Sequence, residues 1–220
     1  MKRYSPTEVW SHGKTVIPAH SGCENTPANS REHILMAIAS GSEMIEVDVR
    51  MIDGVLRLTH DIPEDPLACV TLRECFELVA PEDNLHMNID VKTEGLLEPV
   101  MELAKEFSLI GRIIFTGACN NDRALALSLG GDMWRSMWPG QNIADGIAAN
   151  QEDGSPFLNV AYCMITEEDN KVLCESGSGF SAWTVDKEYF LRLFLKMKIS
   201  NITTRNPLLA MKLRKEIQGI

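Results

Sequence analysis

The sequence predicts an α/β fold in one domain, a (β/α)8 TIM barrel. Short apolar runs alternate with longer helical patterns along the chain, which is the signature of repeated βα units. Eight such units can be counted, the number that closes a barrel. The length, 220 residues, suits a single barrel. An open doubly wound sheet is the alternative, but neither G-x-G-x-x-G nor G-x-x-x-x-G-K-[ST] occurs, so its usual phosphate loop is missing.

The strands are expected at Thr15–His20, Met44–Arg50, Leu85–Val91, Arg112–Thr116, Met133–Met137, Phe157–Cys163, Phe180–Val185 and Ile199–Thr203. A further short strand, Val55–Thr59, is expected to form a ribbon with the end of the second. Helices fill the intervals. Thr26 caps one that opens at Pro27 and ends near Ser40, with Gly41 beyond it. Thr71 caps the next, through Val79. Glu94–Phe107, Asn121–Leu129, Ile143–Gln151, Glu167–Ser176 and Lys187–Met197 follow. The last starts at Asn206-Pro207, a cap followed by proline at the first helical position, and reaches about Ile217.

Composition limits the partners. Twenty-one basic against 31 acidic residues give a net charge of −10, which repels nucleic acid and anionic membranes. A small anion is still admissible, because a local cationic site overrides the average field. No run of about 18 apolar residues exists to span a membrane, and no apolar segment follows Met1 to Pro6 as in a signal peptide. The six cysteines form no C-x-x-C pair. Reduced thiols in a cytoplasmic protein are therefore expected, with Cys23 a small packing residue.

Strand side chains alternate in direction, so in Met44–Arg50 the carboxylates of Glu46 and Asp48 share one face while Ile45, Val47 and Val49 share the other. In Leu85–Lys92, His86, Asn88, Asp90 and Lys92 share a face. With the apolar faces packed on the helix ring, the polar faces point into the barrel and reach its C-terminal mouth, where barrel active sites lie. Glu46, Asp48 and Asp90 then converge. Two like charges about 4 Å apart repel by roughly 4 kcal/mol at an effective dielectric near 20, so a cation or protonation must compensate. An all-oxygen donor set favours Mg²⁺ or Ca²⁺. Neutralisation by Lys92 and Arg50, as a structural ion network, is the alternative. His20 ends the first strand and His60 follows the ribbon, both at the same mouth. A pair of imidazoles there can serve as general base and general acid. His12, His33 and His86 read as structural or surface residues.

These residues fall in an order that resembles the glycerophosphodiester phosphodiesterase family. The matching segments are His20-Ser21-Gly22, Glu24-Asn25-Thr26, Ile45-Glu46-Val47-Asp48-Val49, His60-Asp61, Asp90-Val91-Lys92, Trp183-Thr184-Val185 and Ile202-Thr203-Thr204-Arg205-Asn206-Pro207. They span nearly the whole chain, from Val16 to Pro207. The resemblance implies a barrel whose divalent cation is held by Glu46, Asp48 and Asp90, with His20 and His60 as the acid–base pair. It further implies Lys92 as a phosphate contact and Trp183 at the pocket's border. The implied reaction is hydrolysis of a small phosphodiester to an alcohol and glycerol 3-phosphate. Release of a cyclic phosphate, as in sphingomyelinase D or phosphatidylinositol phospholipase C, stays open. So does a non-catalytic barrel that binds a phosphorylated ligand.

Three departures from the family pattern stand out. Ser21 occupies the place of an arginine and becomes the substrate-contact residue there, without the planar donor fork. Asp90 replaces a glutamate, as in the related sphingomyelinase D enzymes. The usual insertion after the second strand is shortened to Ile62–Val70, which leaves the mouth open or closed by a second subunit in a homo-oligomer. Trp134 and Trp138 are candidates to stack on a head group, with packing the commoner role for such residues. Arg135 is a candidate for the missing fork. Arg112, Lys212, Arg214 and Lys215 read as solvated charges.

Overall fold

A computed structural model describes residues 14–220; His12 and the N-terminal leader reading lie outside the described residues. The strands are β1 (Pro18–Ala19), β2 (Met44–Ile52), β3 (Val55–Leu58), β4 (His86–Val91), β5 (Ile113–Gly117), β6 (Asp132–Met133), β7 (Arg135–Met137), β8 (Phe157–Ala161), β9 (Gly179–Trp183) and β10 (Asn201–Ile202). The helices are α1 (Arg31–Ala39), α2 (Leu72–Val79), α3 (Leu97–Glu106), α4 (Arg123–Leu129), α5 (Ile143–Asp153), α6 (Glu167–Glu175), α7 (Glu188–Lys196) and α8 (Pro207–Gln218). Neighbouring barrel strands pair in parallel in the order β1-β2-β4-β5-β6, then β7-β8-β9-β10. β3 pairs antiparallel with the end of β2, the expected ribbon.

Two seams close this into the (β/α)8 barrel. At the first, Val16 N donates to Ser200 O at 2.9 Å, Ile202 N to Val16 O at 3.0 Å, Thr204 N to Pro18 O at 3.1 Å and His20 N to Thr204 O at 2.9 Å. Pro18 has no N–H, so one rung is missing and the regular strand is short although the ladder runs from Val16 to His20. The second seam is the fifth barrel strand, which breaks at Trp134. Trp134 N still donates to Phe115 O, at 2.9 Å. Beyond it side chains replace the ladder: Ser136 Oγ accepts from Gly117 N at 3.0 Å, and the Asn120 amide exchanges bonds of 2.7 and 2.9 Å with the Ser136 backbone.

The apolar faces pack outward on the helices as expected. Ile45, Val47, Ile89 and Phe115 join α1–α3 in one cluster, and Leu158, Val160, Phe180 and Ala182 join α7 and α8 in another. Inside the barrel, Val16, Met44, Ile114, Trp134 and Phe157 form an apolar floor, with the Trp134 and Phe157 rings edge to face at 4.8 Å. Above the floor the inward positions are polar: Asn201 Nδ2 donates to Ser181 Oγ at 2.7 Å, and Thr116 Oγ1 to Asn88 Oδ1 at 2.9 Å.

Several local expectations are corrected. The first helix starts at Arg31, not Pro27, because Asn29 has a positive φ of 56° and Ser30 is the cap, accepting from His33 N at 3.0 Å. The helix after β4 starts at Leu97 rather than Glu94, since Gly95 turns the chain at φ 76°. Arg112 and Arg214 are not solvated. Arg112 donates to the carbonyls of Leu85, Val79 and Glu82 at 2.7–3.0 Å. Arg214 is buried and bonds Thr15 O at 2.8 Å and Glu43 Oε1 at 2.9 Å, tying α8 to the barrel's closing seam.

Candidate active site

A cavity of about 370 Å³ opens at the C-terminal end of the strands. Its lining follows the strand alternation. Asn88 and Asp90 come from β4, Thr116 from β5, Ser136 from β7, Asn159 from β8 and Trp183 from β9. His20, Glu46, Asp48, His60 and Lys92 line the same cavity, so seven of the eight residues singled out from the sequence are brought together.

The eighth, Ser21, is not among the lining residues. One position past His20, it faces the other way and is 3% exposed. Its N–H donates to Glu46 Oε2 at 2.9 Å, and its hydroxyl accepts from Asn29 N at 2.9 Å. Asn29, which the sequence reading passed over inside its helix, exchanges two bonds with Asp48: Nδ2 donates to Oδ2 at 2.7 Å, and Asp48 N donates to Oδ1 at 3.0 Å. Ser21 and Asn29 thus hold the two carboxylates of β2 in place. An asparagine where the chain needs a left-handed turn was the available signal.

Glu46, Asp48 and Asp90 each present an oxygen within 4.8 Å of the others. Lys92 Nζ lies 2.7 Å from Asp48 Oδ1 and 2.5 Å from Asp90 Oδ2. Arg50 takes no part, as its Nε donates to His60 O. Burial alone would raise the Asp48 carboxyl, but Lys92 and Asn29 outweigh it and hold it below the usual range. Burial keeps Asp90 raised despite Lys92. Glu46 has no such cation: burial, with the charges of Asp48 and Asp90, pushes it up to about 7 against the pull of His20 and Ser21 N. An incompletely neutralised, oxygen-only trio of this size fits a hard divalent cation.

His20 Nδ1 lies 2.9 Å from Ser21 O. A carbonyl only accepts, so Nδ1 carries the hydrogen and Nε2, 3.8 Å from Glu46 Oε2, keeps its lone pair when the ring is neutral. His60 is exposed, with Nδ1 3.1 Å from Asp61 Oδ1. His33 and His86 are buried and lie outside the cavity lining, as their structural reading required. Burial pushes the Cys23 thiol up to about 11, which suits a packing residue. All six cysteines are free.

The two tryptophans part company. Trp134 belongs to the floor, whereas Trp138 is 42% exposed and lines the cavity. Arg135 points outward, where Nη2 meets Asp153 Oδ2 at 2.9 Å, so it does not supply a cationic fork to the site. Arg205 does line the cavity. Sequence alternation held the clue, since it stands two residues past Thr203 on the inward register of the last strand.

No protein-family model matches the sequence, and no curated protein does either. Solved structures do. One from Agrobacterium tumefaciens, assigned as a glycerophosphoryl diester phosphodiesterase, superposes with a TM-score of 0.82 at 18% identity, covering 94% of this chain and 100% of that one. The chain has the fold of the glycerophosphodiester phosphodiesterases. The Parabacteroides distasonis glycerophosphodiester phosphodiesterase gives 0.73 at 19% identity, with 94% and 98% covered. An Oleispira antarctica phosphodiesterase, solved with the product sn-glycerol-3-phosphate, gives 0.71 at 17% identity, with 91% and 96% covered. After β3, from Asp61, the chain makes one 3-10 turn, Pro66–Ala68, before Thr71 caps α2. Ile62 and Leu67 on it are largely exposed. Among the described residues, no helix is long and apolar enough to cross a membrane.

Proposed function

We propose that the protein is a phosphodiesterase that uses a divalent cation, Mg²⁺ or Ca²⁺, to hydrolyse glycerophosphodiesters to an alcohol and glycerol 3-phosphate. The observation that carries this reading is the meeting of Glu46, Asp48 and Asp90, within 4.8 Å, in the cavity that His20 and His60 also line. The product bound to the Oleispira phosphodiesterase of like fold supports the choice of substrate.

The three carboxylates would hold the ion, which when bound supplies a positive charge beside the phosphate oxygens. His20 is the base: with Nδ1–H committed to Ser21 O, Nε2 takes the proton of the attacking hydroxyl, and Glu46 steadies the imidazolium that results. His60 is the acid, oriented by Asp61, and gives its proton to the leaving alkoxide. Lys92 commits two of its three hydrogens to Asp48 and Asp90, and the third is left for a phosphate oxygen. Trp183 and Trp138 supply apolar walls.

Two measurements test this. Phosphorus NMR of glycerophosphocholine incubated with the protein and Mg²⁺ or Ca²⁺ should show glycerol 3-phosphate, with no turnover under EDTA. His20→Ala and His60→Ala should each lower kcat by roughly 10²- to 10⁴-fold, the usual worth of a general acid or base, with unchanged thermal melts. Wild-type turnover by either variant rejects the histidine roles. A cyclic phosphate in the spectrum would favour the lyase. No turnover but tight phosphate binding would leave a binding barrel.

A further inference from the structure

Two residues lining the cavity carry a permanent positive charge, Lys92 and Arg205. Lys92 is a point charge already shared by two carboxylates. Ser21 turns away from the cavity, Arg50 is bound to the His60 carbonyl, and Arg135 is outside the barrel. A phosphate anion in this cavity therefore finds one planar guanidinium, that of Arg205.

The surroundings of Arg205 are built rather than loose. Its backbone is fixed beside the catalytic loop, since His20 N donates to Thr204 O at 2.9 Å and Glu24 N to Arg205 O at 2.7 Å. Asp186 then holds it twice: Oδ1 accepts from Arg205 N at 2.8 Å, and Oδ2 accepts from Nη1 at 2.7 Å. Asn206 Nδ2 in turn donates to Asp186 O at 2.8 Å. Five N–H groups make up the guanidinium fork. One goes to Asp186, so most of the fork stays available to a ligand, and the half-exposed side chain has room to bring it there.

We infer that Arg205 is the phosphate-binding arginine of this site, gripping the non-bridging oxygens from the last barrel strand in place of the arginine that Ser21 lacks. The assignment rests on the phosphodiesterase reading above and adds to it the residue that selects a phosphate anion. Asp186 serves as the brace that orders the side chain before the anion arrives, which lowers the entropy lost on binding. The geometry also assigns the guanidinium a role Lys92 does not fill, since a fork matches two oxygens of one phosphate and an ammonium does not.

The test is calorimetric binding of inorganic phosphate and of sn-glycerol 3-phosphate to the full chain, wild type against Arg205→Ala and Arg205→Lys. Loss of a charge-assisted phosphate contact should raise Kd by roughly 10- to 100-fold in Arg205→Ala. Arg205→Lys should fall between, keeping the charge without the fork. Wild-type affinity in Arg205→Ala overturns the assignment. Should that variant not fold, the wild-type protein decides: sn-glycerol 3-phosphate should protect Arg205 from phenylglyoxal, read by mass spectrometry, and an unchanged rate of modification rejects the inference. If Arg205→Ala binds normally while His20→Ala abolishes turnover, the Arg205 role alone falls. If the wild-type protein with Mg²⁺ or Ca²⁺ turns over no phosphodiester, the underlying function falls.

Discussion

Glu46→Gln separates the charge of the site from its shape. Gln keeps the length of the side chain and an oxygen for the Ser21 N–H, which now bonds Glu46 Oε2 at 2.9 Å. What it removes is a carboxyl that burial, with Asp48 and Asp90, pushes up from 4.5 to about 7. Between those two values the unfolded chain has released this proton and the native metal-free protein still holds it. Stability due to Glu46 is therefore greatest at low pH and falls as pH rises from about 4.5 to about 7. The loss over that span is of order 3 kcal/mol, at about 1.4 kcal/mol per tenfold in proton affinity. For a chain of this size it corresponds to roughly 6–12 °C in Tm. Melting curves of EDTA-treated wild type and Glu46→Gln, recorded from pH 5 to pH 8, read the loss of this carboxyl together with the relief of Asp48 and Asp90 from its charge. The variant should match wild type at pH 5 and melt higher at pH 8. Added Mg²⁺ or Ca²⁺ should raise the wild-type Tm more at pH 8 than at pH 5, and raise the variant's less. Parallel curves for the two proteins across the range would refute the argument.

Two further substitutions probe the supports of the site. Gly117→Ala would set a Cβ against Asp90 Oδ1 and the Val91 carbonyl, at a φ of 88°. It should cost upwards of about 2 kcal/mol in urea denaturation and weaken divalent-ion binding by calorimetry; a neutral result on both would show that Asp90 has slack. Arg214→Ala should cost about 2–4 kcal/mol, because a buried cation that bonds Thr15 O and Glu43 is lost. Its kcat, measured well below Tm, should stay at the wild-type value, since the contact lies outside the cavity lining.

Alternation made most of this site legible. In β2 and β4 the sequence itself separates Glu46, Asp48, Asn88 and Asp90 from Ile45, Val47 and Ile89, and the barrel turns the first set inward. Depth was not legible. Trp134 and Trp138 share one face of the fifth strand, yet one lies in the floor and the other at the mouth, and only closure of the barrel decides which. Ser21 was read as a substrate contact because it stands where the resembled family carries an arginine. It lies in the turn past β1, and there its N–H and hydroxyl serve Glu46 and Asn29 instead. Arg112 and Arg214 were read as solvated because a long cation gives no sign in sequence of the carbonyls that will surround it.

The charge of the cavity explains how such a site persists in a fold that must also be stable. Three carboxylates against one ammonium leave two negative charges when all are ionised. Lys92 stands between Asp48 and Asp90, so repulsion between those two is relieved within the protein, and Asn29 fixes Asp48 further. Asp48 is accordingly the carboxylate held below the usual range. Glu46, 4% exposed and without a cation of its own, is the one that takes up a proton near neutral pH. A divalent ion held by the three carboxylates would displace that proton and bring the count of formal charges, Lys92 included, to zero. On the phosphodiesterase reading proposed above, the anion would meet this neutral cluster with Arg205, on its Asp186 brace, as the cation not yet counted. Removing either neutralising partner, the ion or Lys92, should therefore raise the apparent pKa of the remaining carboxyls together rather than one at a time.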